Sequence, residues 1–228
     1  RVREGNMRAV LDLETSVTWR ENAKGKSVIF NDPYEKDNSL TQFGLVNVDN
    51  TDEMHIINLD HNEEKDVDGS GRAFIQALLD KTTLLIIHNA KFDMMWLWEC
   101  GFVYDGPVYD TMLAEYLLDR GQRNPVGLAA SAIRRGLAEQ KEDYLSTCLK
   151  KGINTNETDL ASLSLYLRAD LLTTTELFHQ QERDFAQADS KSLHNVRQVT
   201  FDTCKTLTQM YMSGVKVDLD VLDEVRQE

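Results

Sequence analysis

Residues 9–15 read AVLDLET, and two acids inside a short apolar run constrain the fold more than any other stretch. Met7 to Leu13 reads as a strand, and carboxylates beside Val10, Leu11 and Leu13 are costly unless something neutralises them. In a strand, residues at i and i+2 share a face, so Asp12 and Glu14 point one way and Leu11 and Leu13 the other. Two adjacent carboxylates repel, which pushes one of them towards protonation. A hard divalent cation removes that penalty, because Mg²⁺ takes oxygen ligands, often one or two carboxylates with a substrate phosphate. The competing reading is a strand end that opens to water. An isolated Asp-x-Glu would favour it, but here the acids sit within the apolar run.

The rest of the pattern predicts an α/β fold with a mixed sheet. Residues 19–39 are polar and read as a loop. TQFGLVNV (41–48) and EMHIINL (53–59) alternate, with VDNTD suited to a hairpin between them. Residues 61–71 read as an acidic loop and 71–81 as a helix. TTLLIIHN (82–89) is a short apolar run, read as a buried strand. KFDMMWLWECG (91–101) is a helix stopped by Gly101, whose Met94, Met95, Trp96 and Trp98 are read mostly as packing. A short strand is expected near Val108. Asp110-Thr111 suits an N-cap for MLAEYLLD. Further helices are expected near 126–135, 139–150, 159–186 and 190–213, the last ending at Gly214.

Two more groups could carry chemistry. His88 and Asn89 fall at the end of a buried strand and Asp93 on the first turn of the helix after it, where open sheets place their active residues. Taken alone, Asn89 reads as a cap and Asp93 as a favourable charge at the positive helix end. His88 reads as packed or second to the site, not as a ligand. Tyr166 and Asp170 are four apart on a helix and share a face. Alone, that pair reads as a rim tyrosine and a surface acid.

Together the order Asp12-x-Glu14, Asn89-x-x-x-Asp93, Tyr166-x-x-x-Asp170 resembles the DEDD superfamily of 3′–5′ exonucleases, in its tyrosine subclass. The sibling subclass has a histidine where this chain has Leu165. LDLET, HNAKFD, YDTMLAEYLL and YLRADLLTTTELF resemble the proofreading exonuclease domain of family A (DNA polymerase I-like) DNA polymerases across residues 7–186. The resemblance implies a ribonuclease H-like, mixed five-stranded sheet flanked by helices, with a helical C-terminal part. It implies two Mg²⁺ (or Mn²⁺) ions. Asp12, Glu14 and Asp170 would hold one together with the scissile phosphate, Asp93 would help hold the second, and Tyr166 would orient the attacking water. Thr15 and Asn89 match family positions near the terminal nucleotide. The family's apolar wedge, just after the first motif, falls at Ser16-Val17-Thr18, which is smaller and more polar than expected. LTQMYMSGVKVDLDVLDEV (207–225) resembles the entry to the polymerase domain. This implies an exonuclease domain over 1–186, with a linker helix and the start of a polymerase domain over 187–228. The implied substrate is a single-stranded or frayed DNA 3′ end, and the implied partner is the polymerase domain of the same polypeptide. Trimming of RNA 3′ ends and an inert scaffold domain are the alternatives. Inert relatives typically lose their carboxylates, whereas all four acids and the tyrosine are here.

The charge bears on this from the other side. Lys and Arg total 25 against 38 Asp and Glu, a net −13. Phosphate contacts usually need a basic face, so the total argues against a nucleic-acid binder unless cations hold many of the acids. Cys100, Cys148 and Cys204 are odd in number and lack metal-ligand spacing, as in a reducing interior. No run approaches a membrane span and no signal peptide is read before Met7; the cytoplasm of a bacterium or phage-infected host is what the resemblance implies. Residues 64–75 imitate a calcium loop but carry Ile75 where its last acid belongs.

Overall fold

The alternation in β1 (Met7–Thr15) divides the molecule into two layers. The computed structural model describes residues 7–137, 144–188 and 191–227. Ala9, Leu11 and Leu13 pack with Ile75, Leu79 and Trp96 on one side of the sheet. Val10 packs with Leu167, Leu171 and Phe178 on the other. Asp12 and Glu14 share the face of Val10, as the period of two requires.

β1 is the centre of a five-stranded sheet in the order β5-β4-β1-β6-β7. β4 (Leu40–Asn47) lies antiparallel on one side of β1, with β5 (Asn50–Asn58) beyond it. β6 (Thr82–Ile87) and β7 (Val108–Asp110) run parallel to β1 on the other side. Helices α1 (Ser70–Lys81) and α2 (Ala90–Glu99) cover the first face. Their apolar residues include Met94, Met95 and Trp96, so these are packing residues as the sequence predicts. α2 ends as the Gly101 signal implies. Gly101 has φ 84°, and the N–H of Phe102 returns to the carbonyl of Leu97 at 2.9 Å.

α3 (Thr111–Leu118), α4 (Leu128–Arg134) and α6 (Leu160–Gln187) build the second layer, with α5 (Tyr144–Lys150) and a 3₁₀ turn at Thr155–Glu157 between them. The helix expected over 139–150 is seen from Tyr144, and its first residues lie outside the described ones. α6 starts where Asp159 caps the N–H of Ser162 at 2.8 Å. No Gly or Pro interrupts it, and Leu163, Leu167, Leu171, Thr174, Phe178, Gln181 and Phe185 form its buried stripe. Burying one such leucine contributes about 1.5–3 kcal/mol. α7 (Lys191–Ser213) follows and packs on α2, α3 and β7 through the buried Phe201. α8 (Leu219–Gln227) begins after Gly214–Asp218, as the tail pattern predicts.

One expectation is corrected. Residues 19–39 are not all loop, because β2 (Thr18–Glu21) and β3 (Ser27–Phe30) form a separate two-stranded sheet. Trp19 faces Ile29 across it, and the Asn22 side chain accepts the N–H groups of Lys24 and Lys26 at the turn. The charged, four-residue strands hide the alternation that marks a hairpin.

Candidate active site

The sheet and α6 converge on the end of β1. Ligand oxygens of Asp12, Glu14 and Asp170 lie within 4.8 Å of one another. Glu14 is buried and the two aspartates are half-buried. The register with β4 shifts between Glu14 and Thr15, which pairs with Leu40, and such a bulge bends the chain at the strand end.

α6 can come this close because of Gly44, which stands opposite Asp12 on β4. A Cβ there would lie 2.8 Å from Leu171 Cδ1 and 2.9 Å from Leu167 Cγ. Gln42, opposite Glu14, adds a polar tie: its Nε2 donates to Ser164 Oγ on α6 at 2.8 Å and to Asn58 at 2.6 Å. Neither residue carries a signal in the sequence.

Asp93 arrives from the other side, on the first turn of α2. It is 2 % exposed, and its Oδ1 is buried without a hydrogen-bond partner among the described residues. Burial raises its pKa well above the usual carboxylate range, and the charge of Asp12 raises it further. Burial likewise pushes Asp12 up to about 8, helped by the charge of Asp170 and opposed by the N–H of Leu13. Carboxylates so placed resist ionising together. The donor set, with hard oxygens and one orphaned buried oxygen, therefore fits a divalent cation.

The remaining candidates surround this group. Tyr166 is half-buried one turn before Asp170, its ring 6.4 Å from that of Tyr144. Thr15 is buried at the bulge. Asn89 is exposed in a left-handed conformation, φ 69°. It occupies the cap position of α2, but its side chain makes no cap bond, so the capping reading is corrected. Ser16 and Val17 are buried, and Asn154 holds the Val17 backbone through bonds of 2.9 and 2.8 Å, so neither side chain is free to act as a wedge. The sequence reading also missed Arg120 and Arg123. They are exposed, left-handed (φ 49° and 62°) and without an ion pair among the described residues. They belong to an acid-free stretch, 120–137, that also holds Arg134 and Arg135, and that local charge was the available signal.

His88 is packed, as expected, with Nδ1 2.9 Å from Thr111 Oγ1. Burial lowers its pKa from 6.5 to about 4, against the opposing pull of Glu115 and the Val126 backbone. The unfolded chain therefore takes up a proton at this residue before the folded one does. The contribution of neutral His88 to stability is complete above 6.5 and is lost as the pH falls towards 4. His88→Gln is expected to flatten the fall of melting temperature across that window. An unchanged slope would show that the acid sensitivity lies elsewhere.

Comparison with known proteins identifies the family and the fold. The family model for a 3′–5′ exonuclease of the DNA polymerase A type matches residues 32–186, starting downstream of Asp12 and Glu14. DNA polymerase I of Chloroflexus aurantiacus is 28 % identical over 142 residues, which are 60 % of this chain but only 14 % of that protein. Brucella melitensis NrnC with bound Mg²⁺ shares the fold at a TM-score of 0.61 and 16 % identity, covering 93 % of this chain and 88 % of its own. The POL domain of Pol1 from M. smegmatis, in complex with DNA primer-template and dNTP, also gives 0.61, at 19 % identity, over 99 % of this chain and 31 % of that one. Matched by the family model over more than half its length, the chain belongs to the 3′–5′ exonuclease domain family of DNA polymerase I-like enzymes.

Proposed function

We infer that this chain is a metal-dependent 3′–5′ exonuclease that releases nucleoside monophosphates from DNA 3′ ends, proofreading for a linked polymerase. The observation that carries this is the carboxylate group Asp12, Glu14 and Asp170 within 4.8 Å, with buried Asp93 facing Asp12. Asp12, Glu14 and Asp170 would hold one divalent ion and Asp93 would help hold a second. Such ions, when bound, lower the pKa of an attacking water and stabilise the attacking and leaving oxygens. The Tyr166 hydroxyl orients that water, while Thr15 and Asn89 grip the terminal nucleotide. Arg120 and Arg123, exposed in the loop between α3 and α4, are local positive charge that the net charge conceals. Residues 1–186 form the exonuclease domain, and 187–228 a linker helix and the first part of a polymerase domain. In this division the linker helix α7 packs on α2, α3 and β7, and the exposed α8 begins the second part.

A second reading, RNA 3′-end trimming, is favoured by the NrnC neighbours, one of which is bound to pGG. Labelled DNA and RNA oligonucleotides with single-stranded, mismatched and fully paired 3′ ends separate the readings. With Mg²⁺ or Mn²⁺, single-stranded and mismatched DNA should be shortened quickly and paired ends slowly, because melting costs about 1.4 kcal/mol per base-pair step. Chelator should stop all release. Equal rates on the three DNA ends would overturn proofreading, faster release from RNA would favour the second reading, and no release would favour a scaffold.

A further inference from the structure

Asp110 ends β7, and its side chain is 2 % exposed. It is surrounded by backbone donors. Oδ1 accepts from the N–H groups of Met112 at 2.9 Å and Leu113 at 3.2 Å, which makes it the N-cap of α3. The same carboxylate also reaches the neighbouring strand end. There Oδ1 accepts from Asn89 at 3.2 Å and Oδ2 from Ala90 at 2.9 Å. One side chain thus serves the starts of two helices. Parallel pairing allows this, because Ile87 stands opposite Asp110 and the two strands finish level. α2 needs the service, since it has no side-chain cap of its own and is entered through left-handed Asn89. A non-glycine residue holds that conformation at a cost and persists in it when its surroundings enforce it.

The segment is also tied to α6. Gln181 Nε2 donates to Thr111 O at 2.8 Å and to Glu115 Oε2 at 3.0 Å, and Thr111 Oγ1 donates to Ile87 O at 3.2 Å. The helix that carries Tyr166 and Asp170 and the turn that leads to Asp93 are therefore referenced to the same two residues, Asp110 and Thr111.

We propose that Asp110 is a positioning residue of the nuclease centre: it enforces the left-handed turn at Asn89 and so sets where Asp93, four residues on, presents its orphaned oxygen. This rests on the reading of Asp93 as a metal ligand. Groups that orient ligands in this way typically matter 10–100-fold in metal affinity.

Asp110→Ser divides the two duties, because a serine hydroxyl still caps α3 but has no second oxygen for Ala90. In calorimetry on the full chain, Mn²⁺ binding should weaken by about 10-fold or more. Amide exchange should speed up at Asn89 and Ala90 while Met112 and Leu113 stay protected. In an Asp93→Asn background the same change should have no further effect on Mn²⁺ affinity, since the two residues act as one unit. A purely structural role would instead lower the melting temperature with Mn²⁺ affinity intact, or give additive losses, and either result overturns the proposal. If Asp93→Asn alone leaves Mn²⁺ binding unchanged, the reading of Asp93 fails and takes this inference with it. If Asp93→Asn weakens binding and Asp110→Ser does not, this inference alone fails. Should the serine variant not fold, Asp110→Asn, which keeps one acceptor oxygen, is read by the same measurements.

Discussion

Asp12→Asn is expected to lower nucleotide release from a single-stranded 3′ end by about three powers of ten, or ~4 kcal/mol of transition-state stabilisation, in a protein that still folds. The amide keeps the shape of the carboxylate and removes its charge from the group formed with Glu14 and Asp170. The same change is expected to stabilise the metal-free chain. Burial, and then the charge of Asp170, raise the Asp12 pKa from 3.8 to about 8. Between those values the folded state holds a proton that the unfolded state has lost, so wild-type stability falls as the pH rises through the window. With chelator above pH 8, the variant should melt higher by about 2–4 °C for each kcal/mol of repulsion removed. The gap should narrow as the pH falls towards 4, and Mg²⁺ should raise the wild-type melting temperature far more than the variant's. Gel assays and thermal melts read both parts. Full activity in Asp12→Asn would end the metal-site reading.

The second large effect comes from a residue with no chemistry of its own. Gly44→Val places methyl groups where Leu167 and Leu171 already stand, the nearest 2.8 Å from the position of a Cβ. Overpacking of this kind costs about 1–3 kcal/mol. The lower-energy response is for α6 to move away from the sheet, taking Tyr166 and Asp170 with it. A misplacement of ~1 Å costs on the order of 10²-fold in rate. Activity should therefore fall much further than the melting temperature alone would explain. Gly127→Ala, at the start of α4 with open space around it and φ −61°, is the control and should leave turnover unchanged. Wild-type turnover in Gly44→Val would show that α6 has room to spare.

Gly44 also shows where sequence reading stops. The acids of the site were legible because an ionisable residue in an apolar run is an anomaly that a local window displays. Asp12 and Glu14 interrupt a strand, and Asp93 opens a helix. The layers were legible for the same reason, since the alternation of Leu11, Leu13 and Val10 already assigns each to a face. A glycine in a strand carries no such mark. Its role depends on Leu167 and Leu171, more than 120 positions away. Asp110 was half legible. Its cap on α3 is local, whereas its bonds to Asn89 and Ala90 exist only because β6 and β7 end at one level. The hairpin after the first motif was missed because Arg20, Glu21, Lys24 and Lys26 mask a strand pattern only four residues long.

Among the described residues that hairpin makes no ladder with the central sheet. Its turn is exposed, with Gly25 at φ 69° and no atom near the place of a Cβ. Exposed tips of this kind accept insertions and attached groups, because no buried backbone bond has to be cut. A dye or an affinity handle attached at Lys24 would thus ride on a unit that leaves the core just past Thr15, close in sequence to the carboxylates yet outside the framework that aligns them.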